Sequence, residues 1–286
     1  MTQILIDGSV LSANYALIAL GITLIFSIIN LLNFAHGELF MVGAFMVYYV
    51  YGVFHLPFVA GLAVAALVTG VIGALFEKFL FAPVMRSSTR EENSMLLAVG
   101  TALLLDSVAL FAFGHEQRGV PDVIPGVMQI AGGFLPYQRL LVLVVSLVLI
   151  GVLLWFVQYT RPGRAMRALA QDRDAARLMG VNVERTSMLG FAIGAALAGL
   201  AGGLLVTVQG ISAGAGPAIS IKAFIMIMIG GAGVVGGALL GAVVLGFAES
   251  IGYSLLPGSE TYLLIFVALI LFLIIRPQGI MGHPWG

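Results

Sequence analysis

Apolar residues run along this chain in long blocks separated by short polar breaks, and the block lengths speak first. A helix needs about 20 apolar residues to cross a bilayer. The run over residues 9–54 is roughly twice that length, so it must turn near its middle, between Asn30 and Gly37. Single spans are predicted over residues 57–81, 93–113, 139–159, 187–208 and 261–275. Residues 221–256 are too long for one span, and Gly230-Gly231-Ala232-Gly233 invites a break inside them. A half-helix followed by a full span fits, because broken helices are tolerated where protein buries them. The pattern therefore predicts an all-α polytopic membrane helix bundle. It has about eight transmembrane helices plus a half-helix in a single domain over residues 1–286.

The breaks carry further detail. Residues 82–92 form a loop with Pro83, Arg86 and Arg90. The loop over residues 114–138 holds Pro121, Pro125 and Pro136 and little positive charge. Within it, Gly132-Gly133 between Val127-Met128-Gln129-Ile130 and Phe134-Leu135 suits a small hairpin. In the span over residues 187–208, Gly190, Gly194, Ala198 and Gly202 recur every four residues, with Ala195, Gly199 and Gly203 beside them. Small residues at that spacing let helix backbones approach closely in lipid. Helix packing is the preferred reading of this face over a direct role in transport.

Composition agrees: 60% of the residues are hydrophobic and 9% charged, and the mean hydropathy is +1.10. A soluble domain of 286 residues could not hide that much apolar surface from water. The absence of cysteine excludes disulfides and thiolate metal sites. A net charge of zero with no basic patch outside the polar loops gives no footing for nucleic acid. The first residues carry Asp7 and no lysine or arginine, unlike a signal-peptide n-region, so the first span is expected to stay.

Charge placement suggests an orientation. Residues 161–185 hold six of the thirteen basic residues. Lys78, Arg86, Arg90 and Arg276 fall on the same side, and only Arg118, Arg139 and Lys222 on the other. Basic loops mark the cytoplasmic face. The N-terminus is thus expected outside and the C-terminus inside, with residues 160–186 a cytoplasmic loop and residues 114–138 an external one.

The arginine-rich loop has an internal design. Pro162 and Gly163 break the preceding span. Asp172 or Asp174 can cap a short helix that Gly180 closes with positive φ. Ala175, Ala176, Leu178 and Met179 form a small apolar face framed by Arg173 and Arg177. A two-turn helix in water has little stability of its own, so a groove on a partner is expected to receive that face.

At these residues the chain resembles a family. Asp174-Ala175-Ala176-x-x-x-Gly180 is similar to the Glu-Ala-Ala-x-x-x-Gly loop by which permeases of ATP-binding-cassette (ABC) importers dock on their ATPases. Here Asp174 replaces the usual glutamate and keeps the charge. Residues 33–38 (Asn-Phe-Ala-His-Gly-Glu), the small-residue run over 194–202 and the terminal Arg276-Pro277-Gln278-Gly279 resemble the branched-chain amino acid permeases of the H-subunit type. The resemblance covers essentially the whole chain. It implies a multi-pass permease of the bacterial inner membrane, carrying leucine, isoleucine or valine. It further implies a homologous second permease, two cytoplasmic ATPases and an external binding protein. The docking residues would be Asp174, Ala175, Ala176, Arg177, Leu178, Met179 and Gly180. Relatives that carry urea or short amides, and more distant ones that carry sugars, keep the substrate open.

Four polar residues cluster at the first turn: Asn30, Asn33, His36 and Glu38. Ionisable groups at membrane depth are costly and usually face a bundle interior or a water-filled path. They are candidates for the translocation route. The competing reading makes them a turn in which Asn33 caps the second span. His36 and Glu38 do not complete a helical two-histidine zinc signature, and no metal site is expected. Asp106 and Glu249 lie within spans; each would line a route or join a buried pair or subunit interface. A phosphate loop needs Gly-Lys followed by Ser or Thr, and neither Lys78 nor Lys222 follows a glycine. The chain is therefore expected to be no enzyme and to bind no cofactor, with ATP consumed by partner subunits. An ion-coupled secondary transporter is the rival, favoured if Asp106 and Glu249 face each other beside unwound backbone.

Overall fold

The apolar blocks become helices, and a computed structural model describes residues 1–29, 33–87, 91–130 and 132–282. Seven helices among the described residues are long and apolar enough to cross a membrane. They contain α1 (Thr2–Ile29), α3 (Phe58–Phe76), α5 (Glu91–Phe113), α6 (Tyr137–Tyr159), α9 (Val183–Gln209), α11 (Val235–Leu255) and α12 (Gly258–Ile275). The second half of the first long block is α2 (His36–Val47), which widens into a π-helical stretch, Tyr48–Val53. A similar stretch, Glu77–Phe81, joins α3 to α4 (Ala82–Ser87), so that span runs on to Met85. The bundle is thus seven long spans, the α2 segment and one short apolar helix, α10 (Gly216–Gly230).

Burial sorts these helices. The most apolar stretch of α1 is 89% buried and that of α9 72%, against 17% for α5 and 6% for α12. Helices apolar on every side belong either in the centre or against lipid, and only packing separates the two. α1 and α9 run antiparallel through the middle, with Asn14 Nδ2 donating to the Ala201 carbonyl at 3.0 Å and Gly190 against Ile28. The small-residue face of α9 does what its spacing predicts. Gly194 meets Gly21 of α1, Gly199 meets Gly43 of α2 and Thr69 of α3, and Gly202 meets the Phe40 carbonyl.

Several boundaries differ from expectation for local reasons. α1 starts at Thr2, seven residues earlier than the apolar block, because Asp7 pairs with Arg139 of α6 and Gln3 donates to Asp7 at 3.0 Å. α10 starts at Gly216, inside the expected loop, since Pro217 in its first turn needs no amide partner. It ends at Gly230, and Gly231 and Gly233 take φ of 111° and 79°, which places the break where the glycine run predicted it. Residues 276–282 then fold back onto that end. Ile280 and Met281 donate their amides to the Ile229 and Gly230 carbonyls at 2.8 and 2.9 Å, satisfying acceptors that the helix leaves open.

The expected hairpin is present. β1 (Val127–Ile130) pairs antiparallel with β2 (Gly133–Pro136), Met128 opposite Leu135, and Gly132 turns with φ of 81°. It sits over the start of α1, where the Phe134 amide donates to Gln3 Oε1 at 3.1 Å. An isolated antiparallel bridge between Arg118 and Ile211 ties the same loop to the segment before α10.

Candidate functional site

Two parts of the chain stand apart from ordinary packing: the junction where α2 and α10 begin, and the exposed helix in the arginine-rich loop.

At the junction, the polar residues divide. Asn30 lies outside the described residues. Asn33 is fully buried, and its Oδ1 accepts from the Ala35 amide at 3.1 Å. The N-cap of α2 is Ala35 rather than Asn33, so the expected cap becomes an Asx turn two residues earlier. His36 is fully buried and its Nε2 lies 3.2 Å from the Ile18 carbonyl, midway along α1. That contact joins α1 to α2, and the other ring nitrogen, Nδ1, is buried with no hydrogen-bond partner among the described residues. Glu38 is different. It is fully buried, and neither carboxylate oxygen has a hydrogen-bond partner among the described residues.

The reason is the crossing of two helix starts. Gly37 abuts the carbonyl of Gly216, and a Cβ on Gly216 would collide with the Glu38 carboxyl group. Ser220 Oγ stitches the crossing, accepting from the Gly37 amide at 2.9 Å and donating to the Phe34 carbonyl at 2.7 Å. A cavity of about 270 Å³ opens beside it, lined by Glu38 and by Asp106 of α5, with Phe34, Leu103 and Ile221 among its apolar walls. Neither Ser220 nor Gly216 was singled out from sequence. The Gly-Pro pair that opens α10 was the available signal.

Asp106 and Glu249 do not face each other, which removes the arrangement that would favour an ion-coupled carrier. Glu249 of α11 is bound instead to Lys222 of α10, with Nζ–Oε1 of 3.0 Å. Tyr15 donates to Glu249 Oε2 at 2.6 Å and accepts from Lys222 at 2.7 Å. Lys222 is therefore not an outer-loop charge as the sequence suggested, but one half of a pair neutralised inside the bundle. Among the described residues, no group of three histidine, cysteine, aspartate or glutamate side chains is placed to hold a metal ion.

The second part is the arginine-rich loop. Its first half is a helix that the sequence reading missed, α7 (Arg161–Gln171). Thr160 caps it through the Gly163 amide at 3.1 Å, and Gly163, Met166 and Leu169 are its buried face. Asp172 then caps α8 (Arg173–Leu178), accepting from the amides of Asp174 and Ala175 at 2.9 Å each. Met179 follows as C-cap, and Gly180 closes the turn with φ of 85°. The cap and the closing glycine stand where the sequence placed them. The apolar face does not survive whole. Ala176 is buried against the rest of the chain, whereas Leu178 and Met179 are 88% and 85% exposed. Asp174, Ala175 and Arg177 are exposed alongside them.

Comparison with known proteins agrees with this architecture over the whole chain. Residues 4–275 match the family described as the branched-chain amino acid transport system permease component. The chain is 33% identical to the high-affinity branched-chain amino acid transport system permease protein BraD of Pseudomonas aeruginosa, over 99% of this chain and 96% of the relative. It is 30% identical to the permease protein LivH of the corresponding system of Escherichia coli K12, with the same coverage. A probable LivH of Methanocaldococcus jannaschii is 29% identical over 99% of this chain and 93% of the relative. No solved structure matches the chain at a significant level.

Proposed function

The chain belongs to the branched-chain amino acid transport system permease family, and we propose that it is the membrane-spanning subunit of a binding-protein-dependent ABC importer carrying leucine, isoleucine and valine. The observation that carries this reading is similarity at nearly full length to permeases named for that transport. Full complexes of this kind need a second, homologous permease, two cytoplasmic ATPases and an external binding protein. The site in the bacterial inner membrane, the absence of any cofactor of its own and the lack of enzymatic chemistry belong to the same proposal.

Orientation and docking follow from charge and exposure. The start of α9, the α10–α11 turn, the end of α1 and residues 276–282 share one end of the bundle, with Phe26 against Gly233 and Gly231 against Gly282. That end carries the arginine-rich loop and Arg276. With Lys222 buried, the charge asymmetry grows, which supports placing this end in the cytoplasm. There α8 offers Leu178 and Met179 to water, an arrangement that favours a groove on an ATPase as their cover.

Reconstitution tests the function. Vesicles holding the complete complex and binding protein are expected to take up leucine only with ATP, in preference to urea. Uptake by this chain alone, driven by a proton or sodium gradient, would overturn the assignment.

A further inference from the structure

At the end of the bundle away from the arginine-rich loop, the starts of α1 and α6 and the ends of α9 and α11 surround a cavity of about 390 Å³. Small-molecule sites commonly enclose about 300–1,000 Å³. The hairpin borders this one, because the Phe134 amide donates to Gln3 Oε1. Ile4, Leu11, Leu205 and Val208 give it an aliphatic wall, and Asp7 and Arg139 supply its charges.

Asp7 and Arg139 pair with each other, yet each keeps capacity to spare. Asp7 Oδ1 accepts from both Arg139 Nη1 and Gln3 Nε2. Asp7 Oδ2 and the other N–H groups of Arg139 have no hydrogen-bond partner among the described residues. Both side chains reach solvent, at 31% and 34% exposed, so a ligand in the cavity can meet them. Ser250 and Ser254 spend their protons on the Ile4 and Ile251 carbonyls, at 2.9 and 2.7 Å. The charge pair therefore carries the recognition. An acid and a base side by side suit a ligand that holds both charges close together. Its carboxylate can take the guanidinium N–H groups, and its ammonium group can donate to the spare carboxylate oxygen. A ligand with a single charge is attracted by one member and repelled by the other. The aliphatic wall then favours a hydrocarbon chain on the zwitterion.

We propose that this cavity is a binding site for a zwitterionic aliphatic amino acid. Arg139 receives the carboxylate, Asp7 the ammonium group, and Leu11, Leu205 and Val208 the side chain. The proposal rests on the transport reading above and gives the permease a recognition step of its own, separate from the external binding protein.

The test is equilibrium binding of radiolabelled leucine to the purified, assembled complex without binding protein. Competitors are 3-methylbutylamine (ammonium, no carboxylate), 4-methylpentanoate (carboxylate, no ammonium) and glycine (both charges, no side chain). Each is expected to compete at least tenfold more weakly than unlabelled leucine. Asp7→Asn and Arg139→Gln are each expected to weaken leucine binding tenfold or more. Asp7→Asn should also abolish the preference for leucine over 4-methylpentanoate, and Arg139→Gln the preference over 3-methylbutylamine, which loss of a merely structural ion pair would not do. Exposed ion pairs add little stability, so unfolding temperatures should hold. Val208→Phe leaves the pair intact, narrows the cavity and is expected to weaken leucine binding equally; it decides alone if the charge variants fail to assemble. Failure of the wild-type complex to bind leucine, or variants that keep both affinity and preference, overturns the site. So does loss of leucine binding in phosphatidylethanolamine bilayers but not phosphatidylglycerol ones, which would make the cavity a lipid headgroup site. ATP-driven leucine uptake by the complete system under those outcomes would leave the transport reading standing. Leucine binding with the expected preferences but no uptake would do the reverse.

Discussion

Lys222 of α10 and Glu249 of α11 lie 3.0 Å apart inside the bundle, and the hydroxyl of Tyr15 on α1 hydrogen-bonds both. Two consecutive helices and α1, from the other end of the chain, are thus joined through one buried charge pair. Removing one partner of such a pair strands the other charge and costs about 3–5 kcal/mol, while replacing both costs far less. Lys222→Met and Glu249→Gln are each expected to lower the unfolding temperature and cellular abundance sharply, and the double variant to recover much of the loss. Thermal unfolding in detergent measures this. Single variants as stable as the parent would show that the pair contributes nothing.

Gly199 and Gly151 offer a matched pair of glycines. A Cβ at Gly199 would strike Thr69 of α3, and Gly43 of α2 sits against its backbone, whereas Gly151 on α6 has open space around it. Overpacking a tight crossing costs about 1–3 kcal/mol or more. Gly199→Leu is expected to destabilise the bundle, and Gly151→Leu to leave it unchanged. Equal effects at the two positions would contradict the central place of α9.

Leu178 and Met179 are expected to anchor the ATPase. Burying one such side chain is worth about 1.5–3 kcal/mol, and about 1.4 kcal/mol is a tenfold change in affinity. Met179→Arg should therefore weaken ATPase co-purification tenfold or more, with a parallel loss of substrate-stimulated hydrolysis and an unchanged unfolding temperature. Ala176→Arg should instead lower stability, because Ala176 is buried within the chain. Normal docking by Met179→Arg would place the contact elsewhere.

Asp122 and Asp174 test orientation, since both are exposed and the chain has no cysteine to interfere. Asp122→Cys is expected to react with an impermeant thiol reagent on intact cells, and Asp174→Cys only after lysis. The opposite pattern would invert the topology.

Much of this protein was written locally. Span positions follow from block length against bilayer thickness. The hairpin follows from Gly132-Gly133, the α10–α11 break from the glycine run, and the α8 cap and closure from Asp172 and Gly180. Each depends on backbone chemistry within a few residues, which any sequence displays. α7 was the local miss: Pro162 and Gly163 read as breakers, yet both sit in its first turn, where proline is welcome. Only the tertiary structure decided which apolar helices are central, because in lipid a buried face and a lipid-facing one are equally apolar. It also decided the partners of the polar residues. His36 met a carbonyl eighteen residues away, Lys222 met Glu249 rather than water, and Glu38 was buried with neither carboxylate oxygen hydrogen-bonded among the described residues. A charge in a sequence carries no record of what lies across the bundle from it, and that neighbour determines whether it is a packing group, a neutralised pair or a site.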